Sequence, residues 1–212
     1  MSGPVTLIDY GAGNLRSLRA AFERLGADVA VSDDAATVAR SARIVLPGVG
    51  AAAPAMRALR ALGLDAAIGE AVERGSSLLG VCLGMQLLFD SSTELGGDSG
   101  LGLLPGEVVA LREVAAAAQK VPHIGWNEVA FARASPLLDG LGERAAFYHV
   151  HSFVARPADE GDVLGRGDYG GPFASIVARG EVFGVQFHPE KSSTAGLALL
   201  ANFTRVCASV RA

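Results

Sequence analysis

Short apolar runs at residues 5–8, 29–31, 44–46 and 78–82 alternate with segments whose apolar residues recur at helical spacing. That alternation points to a parallel sheet, because each strand must be followed by a crossover that returns the chain to the same edge. The first run ends at once in the turn chemistry of Asp9-Tyr-Gly-Ala-Gly-Asn14. Leu15, Leu18, Phe22 and Leu25 then mark an amphipathic helix closed by Gly26. A helix-like stretch joins the second and third strands, and Met56, Leu59 and Leu62 resume the helical spacing after the third. The fourth run passes directly into residues 83–89, which read as helix.

Beyond residue 100 the pattern changes. Residues 107–111, 128–131, 146–153, 175–178 and 182–187 are strand-like with few helices between them, which predicts an antiparallel extension of the sheet. A last helix, 193–206, carries Leu197, Leu200, Phe203 and Val206 on one face, and the alanines 115–118 read as a loop or helical turn. With 212 residues, half of them hydrophobic and no linker, the expected architecture is one α/β domain over residues 1–212. Its sheet is mixed, mostly parallel and flanked by helices. A net charge of −4 and no basic cluster exclude a nucleic-acid face or polybasic membrane patch. No apolar run suits a signal peptide or a membrane span, so a soluble cytoplasmic protein is expected. Cys82 and Cys207 stand far apart and form no Cys/His ligand cluster, so neither a disulfide, a metal site nor a cofactor is expected.

Cys82 is the candidate nucleophile. Gly80-Val-Cys82-Leu-Gly84 has the form G-x-C-x-G between an apolar strand and a helix, the sulfur counterpart of a nucleophile elbow. Its glycines admit a sharp turn, and the Leu83 N–H and the helix N-terminus can lower a thiol pKa or receive an oxyanion. A buried apolar cysteine would satisfy the same five residues equally well. Cys207, without such glycines, reads as packing. Gly184-Val-Gln-Phe-His188-Pro-Glu190 shifts the balance. With strand period 2, His188 and Glu190 fall on one side, so the carboxylate can orient the imidazole and the imidazole can serve a thiol.

Residues 80–86 and 184–190 closely resemble the two signatures of the triad (class I) glutamine amidotransferases. The resemblance implies Cys82 as nucleophile, His188 as general base then acid, and Glu190 as its orienting carboxylate. It further implies an oxyanion hole from Gly48, Val49 and Gly50, within Pro47-Gly-Val-Gly50, together with Leu83, and substrate contacts from Gln86, His151 and Ser152. Pro122-His-Ile-Gly-Trp-Asn127, Phe147-Tyr-His-Val-His-Ser-Phe153, Lys191-Ser192 and Met85 resemble the family of glutaminase subunits of imidazole glycerol phosphate synthase, over nearly the whole chain. That resemblance implies glutamine as substrate and a (β/α)8-barrel cyclase subunit as partner. The ammonia would convert the phosphoribulosyl formimino intermediate (PRFAR) into imidazole glycerol phosphate and AICAR for histidine biosynthesis. Asn14, Trp126, Tyr148 and Lys191 would lie near the docking face. The glutaminase motifs occupy the chain, so the ammonia-consuming site is expected on the partner. His149 and Phe153 depart from the family pattern, and His149 reads as a packed or rim histidine rather than a ligand. A triad glutaminase serving another synthase, such as the pyridoxal-phosphate type, a silent subunit of the same fold and a cysteine protease are the competing readings. The 122–127 motif and Met85 oppose the first, the complete triad the second, and the lack of any peptide-cleft motif the third.

Overall fold

The computed structural model describes residues 3–115 and 118–206. Cys207 and part of the 115–118 stretch lie outside them. The first half follows the alternating pattern: β1 (Val5–Ile8), α1 (Leu15–Arg24), β2 (Val29–Ser32), α2 (Ala35–Arg40), β3 (Arg43–Leu46), α3 (Ala52–Ala61), α4 (Leu64–Glu73) and β4 (Ser77–Val81). These strands pair in parallel in the order β2-β1-β3-β4. Strand period sorts their side chains between two cores. Ile8, Ile44 and Leu78 join Val38, Met56, Leu59 and Ile68 of α2, α3 and α4. Leu7, Val45 and Leu79 face the opposite way and pack with Leu18 and Phe22 of α1.

After β4 the helix α5 (Leu83–Gln86) lasts only four residues, not the seven expected. The carbonyls of Leu87 and Leu88 are taken by N–H groups of Leu101 and Leu103, and Phe89 pairs with Leu104, so tertiary pairing overrides helical spacing. There follow β5 (Phe89–Ser92), β6 (Asp98–Ser99), β7 (Leu104–Ala110), β8 (His123–Phe131), β9 (Arg144–His151), β10 (Phe153–Pro157), β11 (Val163–Asp168), β12 (Pro172–Arg179) and β13 (Val182–Val185). Antiparallel β12 continues the sheet from β13, and β13 itself lies parallel to β4. The strand expected over 146–153 breaks at Ser152: its first part pairs with β8, whereas its second pairs with β7. The strand expected over 182–187 ends at Val185, and the His188 N–H turns to the Tyr148 carbonyl (3.0 Å). The C-terminal helix α6 (Ser193–Arg205) buries Leu199, Leu200 and Phe203 beside α1.

The β8–β9 hairpin lies over the carboxyl ends of the parallel strands and presents a layer of histidines to the interior. His149 is fully buried. Its Nδ1 donates to the Phe147 carbonyl (3.1 Å), which leaves Nε2 to accept from Ser175 Oγ (2.8 Å). His151 Nδ1 donates to the Phe153 carbonyl (3.0 Å), so its Nε2 accepts from His123 Nδ1 (2.9 Å). His149 is therefore a packed residue, as expected. Burial holds all three rings neutral, with the neighbouring His151 adding to the effect on His149. His149 is pushed down to about 3, His151 to about 4, and His123 below its ordinary value.

Two predictions follow from this packing. A methyl on Gly84 would meet the Leu46 carbonyl oxygen at 1.8 Å, whereas one on Gly69, inside α4, meets nothing within 4 Å. Gly84→Ala is expected to lose about 3 kcal/mol or more in denaturant unfolding; Gly69→Ala should gain up to about 1 kcal/mol from helix propensity. Second, the unfolded chain takes up protons on its histidines near pH 6.5 while the buried rings resist until about pH 3–4. The unfolded state thus binds more protons in that window, so their stabilisation is complete above pH 6.5 and declines as pH falls towards 4. In His149→Phe the slope of unfolding free energy against pH in this window should be shallower; an unchanged slope would contradict the assignment.

Candidate active site

Register brings the site together. In the parallel pairing Leu46 lies opposite Gly80 and Val185 opposite Val81. The 47–50 loop, Cys82 and the 186–190 segment therefore leave the sheet side by side, in the crevice where α/β sheets bind ligands.

Cys82 occupies φ 56°, ψ −113°, a backbone conformation that a residue with a side chain seldom adopts. Its N–H still donates to the Val185 carbonyl (2.8 Å), while its own carbonyl already accepts from Met85 and Gln86 in the next turn. One residue thus converts strand into helix. A methyl on Gly80 would stand 2.6 Å from the Gly84 oxygen, so the elbow closes only with glycine there. Because α5 is a single turn, the local Leu83 N–H, which has no intrahelical acceptor, matters more than a long helix dipole. The thiol is nearly buried, with Sγ 3.8 Å from the Val150 carbonyl.

His188 and Glu190 meet by a different route from the one expected. Residues Pro189–Lys191 form a 3-10 turn, so it is the turn and not strand period that brings Glu190 Oε1 to 3.0 Å from His188 Nδ1. Ser192 Oγ ties that turn down, donating to the His188 carbonyl (2.6 Å) and accepting from the Tyr148 N–H (3.0 Å). With Nδ1 engaged, Nε2 is the nitrogen left for Cys82. Burial opposes charge on this ring, but its hydrogen bonds and electrostatic attraction to Cys82 and Glu190 prevail and push its pKa up to about 9. The Glu190 side chain is entirely enclosed. Asn14 Nδ2 donates to the same Oε1 (3.1 Å), while Oε2 is buried without a protein donor among the described residues.

A cavity of about 300 Å³ opens over the thiol. Val49, Gly50, Leu83 and His188 border it near Cys82; Gln86, His151, Ser152 and Phe153 form a wall. Glu94 also lines it, a residue the sequence reasoning missed because it lies in a polar turn without a motif. Gln86 Nε2 is engaged by the Phe153 carbonyl (3.1 Å) and Gln186 Oε1 (3.0 Å), so it braces the wall. Gly48 is required by packing: a methyl there would stand 2.8 Å from Leu83 Cβ and from the Tyr10 hydroxyl. Gly50 takes φ 93°, and Tyr10 donates to the Pro47 carbonyl (2.9 Å) beneath the loop. Burial, and then the nearby Cys82, hold the Tyr10 hydroxyl well above the usual phenol range. Among the described residues, no cluster of three or more His, Cys, Asp or Glu could hold a metal.

Of the residues expected at a docking face, Trp126 is 55% exposed and packs edge-on to Tyr148 at 6.1 Å. Lys191 is exposed, and Ile124, which was not anticipated, is 60% exposed beside Trp126 on β8. Asn14 is only half-buried but turns its amide to the Glu190 carboxylate. Among the described residues no helix is long and apolar enough to cross a membrane.

The model of the family described as "Glutamine amidotransferase class-I" matches residues 6–207. The chain is 51% identical over 200 residues to the "Imidazole glycerol phosphate synthase subunit HisH" of Moorella thermoacetica, covering 94% of this chain and 93% of that one. It is 50% identical to the protein of the same description from Salinibacter ruber, covering 93% and 92%. Among solved structures, one described as the "Structure of PurLQS from Thermotoga maritima" superposes with a TM-score of 0.74 at 19% identity, covering 97% of this chain and 99% of the other. Another, "Crystal structure of glutamine amidotransferase", gives 0.72 at 24% identity, covering 95% and 97%; at such identities these two bear on the fold alone. With full-length relatives at half identity and a family model spanning nearly the whole chain, the protein belongs to the class-I glutamine amidotransferases, in the family of the HisH subunits of imidazole glycerol phosphate synthase.

Proposed function

We propose that this chain hydrolyses glutamine with a Cys82–His188–Glu190 triad and delivers the ammonia to a cyclase subunit of imidazole glycerol phosphate synthase. The observation that carries the reading is the strained Cys82 held between the 47–50 loop and a His188 oriented by Glu190 at 3.0 Å. Cys82 passes its proton to His188 Nε2 as Sγ attacks the γ-carboxamide carbon, and the developing oxyanion is received by the N–H of Leu83 and by the Gly48–Val49–Gly50 loop. The raised pKa of His188, about 9, lets the ring keep that proton at neutral pH until it gives it to the departing nitrogen. The C–N bond breaks, ammonia leaves, and a thioester remains on Cys82. Water then attacks the thioester as His188 takes its proton, and His188 passes that proton to the departing sulfur, which releases glutamate and restores the thiol. Asn14 and Glu190 keep the imidazole aligned. Gln86, His151 and Ser152 shape the wall against which the side-chain amide lies, and the Glu94 carboxylate offers the counter-charge for the α-ammonium of glutamine.

Free ammonia would be protonated near neutral pH and so lost as a nucleophile, which favours direct transfer to a docked partner. Trp126, Tyr148, Lys191 and Asn14, with the exposed Ile124 beside them, form the face for a (β/α)8-barrel cyclase. There the ammonia converts PRFAR into imidazole glycerol phosphate and AICAR in histidine biosynthesis, in the cytoplasm.

The test is glutamate release by the chain alone and with the cyclase subunit and its acceptor ligand. Low activity alone and strong stimulation in the complex are expected. Cys82→Ala should abolish glutamine-dependent synthesis while synthesis from added ammonium salt persists; undiminished glutamate release from Cys82→Ala would refute the nucleophile. Trp126→Ala, which removes the largest exposed aromatic of the face, should weaken subunit association by about 2 kcal/mol or more in calorimetric titration.

A further inference from the structure

The turn carrying Glu94 makes a contact that the hydrolytic chemistry by itself does not require. Glu94 Oε2 accepts from the Ala52 N–H at 2.7 Å. Ala52 is the first residue of α3, two positions beyond Gly50 of the oxyanion loop. The residue before it, Ala51, has no side-chain acceptor, so the helix cannot cap itself locally and receives its cap from a distant carboxylate. Glu94 also lines the cavity with Val49, Gly50 and Cys82. Its Oε1 has no protein donor among the described residues.

The geometry around Glu94 is built to hold it there. Its N–H donates to Ser92 Oγ (3.2 Å), and the next residue, Leu95, takes φ 53° while remaining 77% exposed. A side chain that is neither buried nor glycine gains nothing locally from a left-handed backbone, so the turn is imposed by its neighbours. The far end of the segment is tied to the same helix: Arg60 Nη2, in the last turn of α3, donates to Ser99 Oγ (2.6 Å) and to the Ser99 carbonyl (3.1 Å). Residues 92–99 therefore form a strap clasped to both ends of α3.

Resting on the glutaminase reading above, we infer that Glu94 is a positioning residue that places substrate and oxyanion loop on one carboxylate. One oxygen fixes the start of α3, and hence the loop that ends at Gly50; the other receives the glutamine ammonium. The separation between the substrate's α-carbon and the oxyanion donors is then set by a single rigid group instead of by two independent ones. Losing the Ala52 contact leaves the ammonium site in place but lets the loop drift from the reacting carbonyl. It therefore lowers kcat more than it raises KM.

The variant that separates these effects is Ala52→Pro. Proline removes the N–H, suits the first position of a helix, and follows an Ala51 already extended at φ −111°, ψ 150°. Measured as glutamate release in the complex with the cyclase subunit, Ala52→Pro should lower kcat by about tenfold with KM for glutamine little changed. Glu94→Gln keeps an acceptor for Ala52 and should mainly raise KM. Glu94→Ala loses both roles, and its kcat should fall below that of Glu94→Gln. A folded Ala52→Pro with wild-type kcat overturns the inference. If Ala52→Pro does not fold, equal kcat values for Glu94→Gln and Glu94→Ala overturn it just as firmly, and a lower value for Glu94→Ala upholds it. Absence of glutaminase activity in the wild-type complex would instead refute the functional reading, and this inference with it.

Discussion

The structure depends on the chain reversing direction at Cys82 while Cys82 keeps its hydrogen bond to the neighbouring strand. A side-chain-bearing residue at φ 56°, ψ −113° costs on the order of 1–3 kcal/mol. It persists because β4 is central, flanked in parallel register by β3 and β13, so the backbone on either side cannot relax. The glycines at 80 and 84 let α5 fold back against the Leu46 carbonyl at a distance no β-carbon would tolerate. That contact presses the first turn of the helix against the loop starting at Pro47. The elbow and the loop proposed to receive the oxyanion are therefore one packing unit, and neither can shift without the other.

The β8–β9 hairpin supplies the remaining wall. Its inner side is polar yet buried: three neutral histidines, each with a hydrogen-bond partner, stand where ordinary core residues would be apolar. Buried polar groups stabilise only when satisfied, and here the backbone carbonyls of Phe147 and Phe153 select the tautomers that make this possible. The outer side carries Ile124 and Trp126 into solvent. One hairpin thus places an exposed apolar face directly behind the strand whose Val150 carbonyl touches the thiol. A partner docked on that face would press on the wall of the cavity over the thiol without entering it.

Much of this was legible in the chain itself. Four apolar runs interrupted by helical spacing implied the parallel half, and G-x-C-x-G with His-Pro-Glu pointed to residues that the fold brings to one cavity, because those features depend on neighbours within a few residues. Other features were set from afar. The helix after Cys82 is shorter than its spacing implies because distant N–H groups take the carbonyls of Leu87 and Leu88. The segment 146–153 splits because its halves find different partners. Glu94 belongs to no motif, and only the folded chain carries it to α3.

The sequence by itself determined the strand alternation, the cysteine at an elbow and the carboxylate two residues beyond its histidine, since local backbone rules suffice for each. The tertiary structure decided that His188 and Glu190 meet through a turn, that Asn14 turns its amide to the Glu190 carboxylate, and that Glu94 reaches the start of α3. The reason is physical: hydrogen bonds between residues as far apart as Asn14 and Glu190 depend on sheet order and register, which no local pattern encodes.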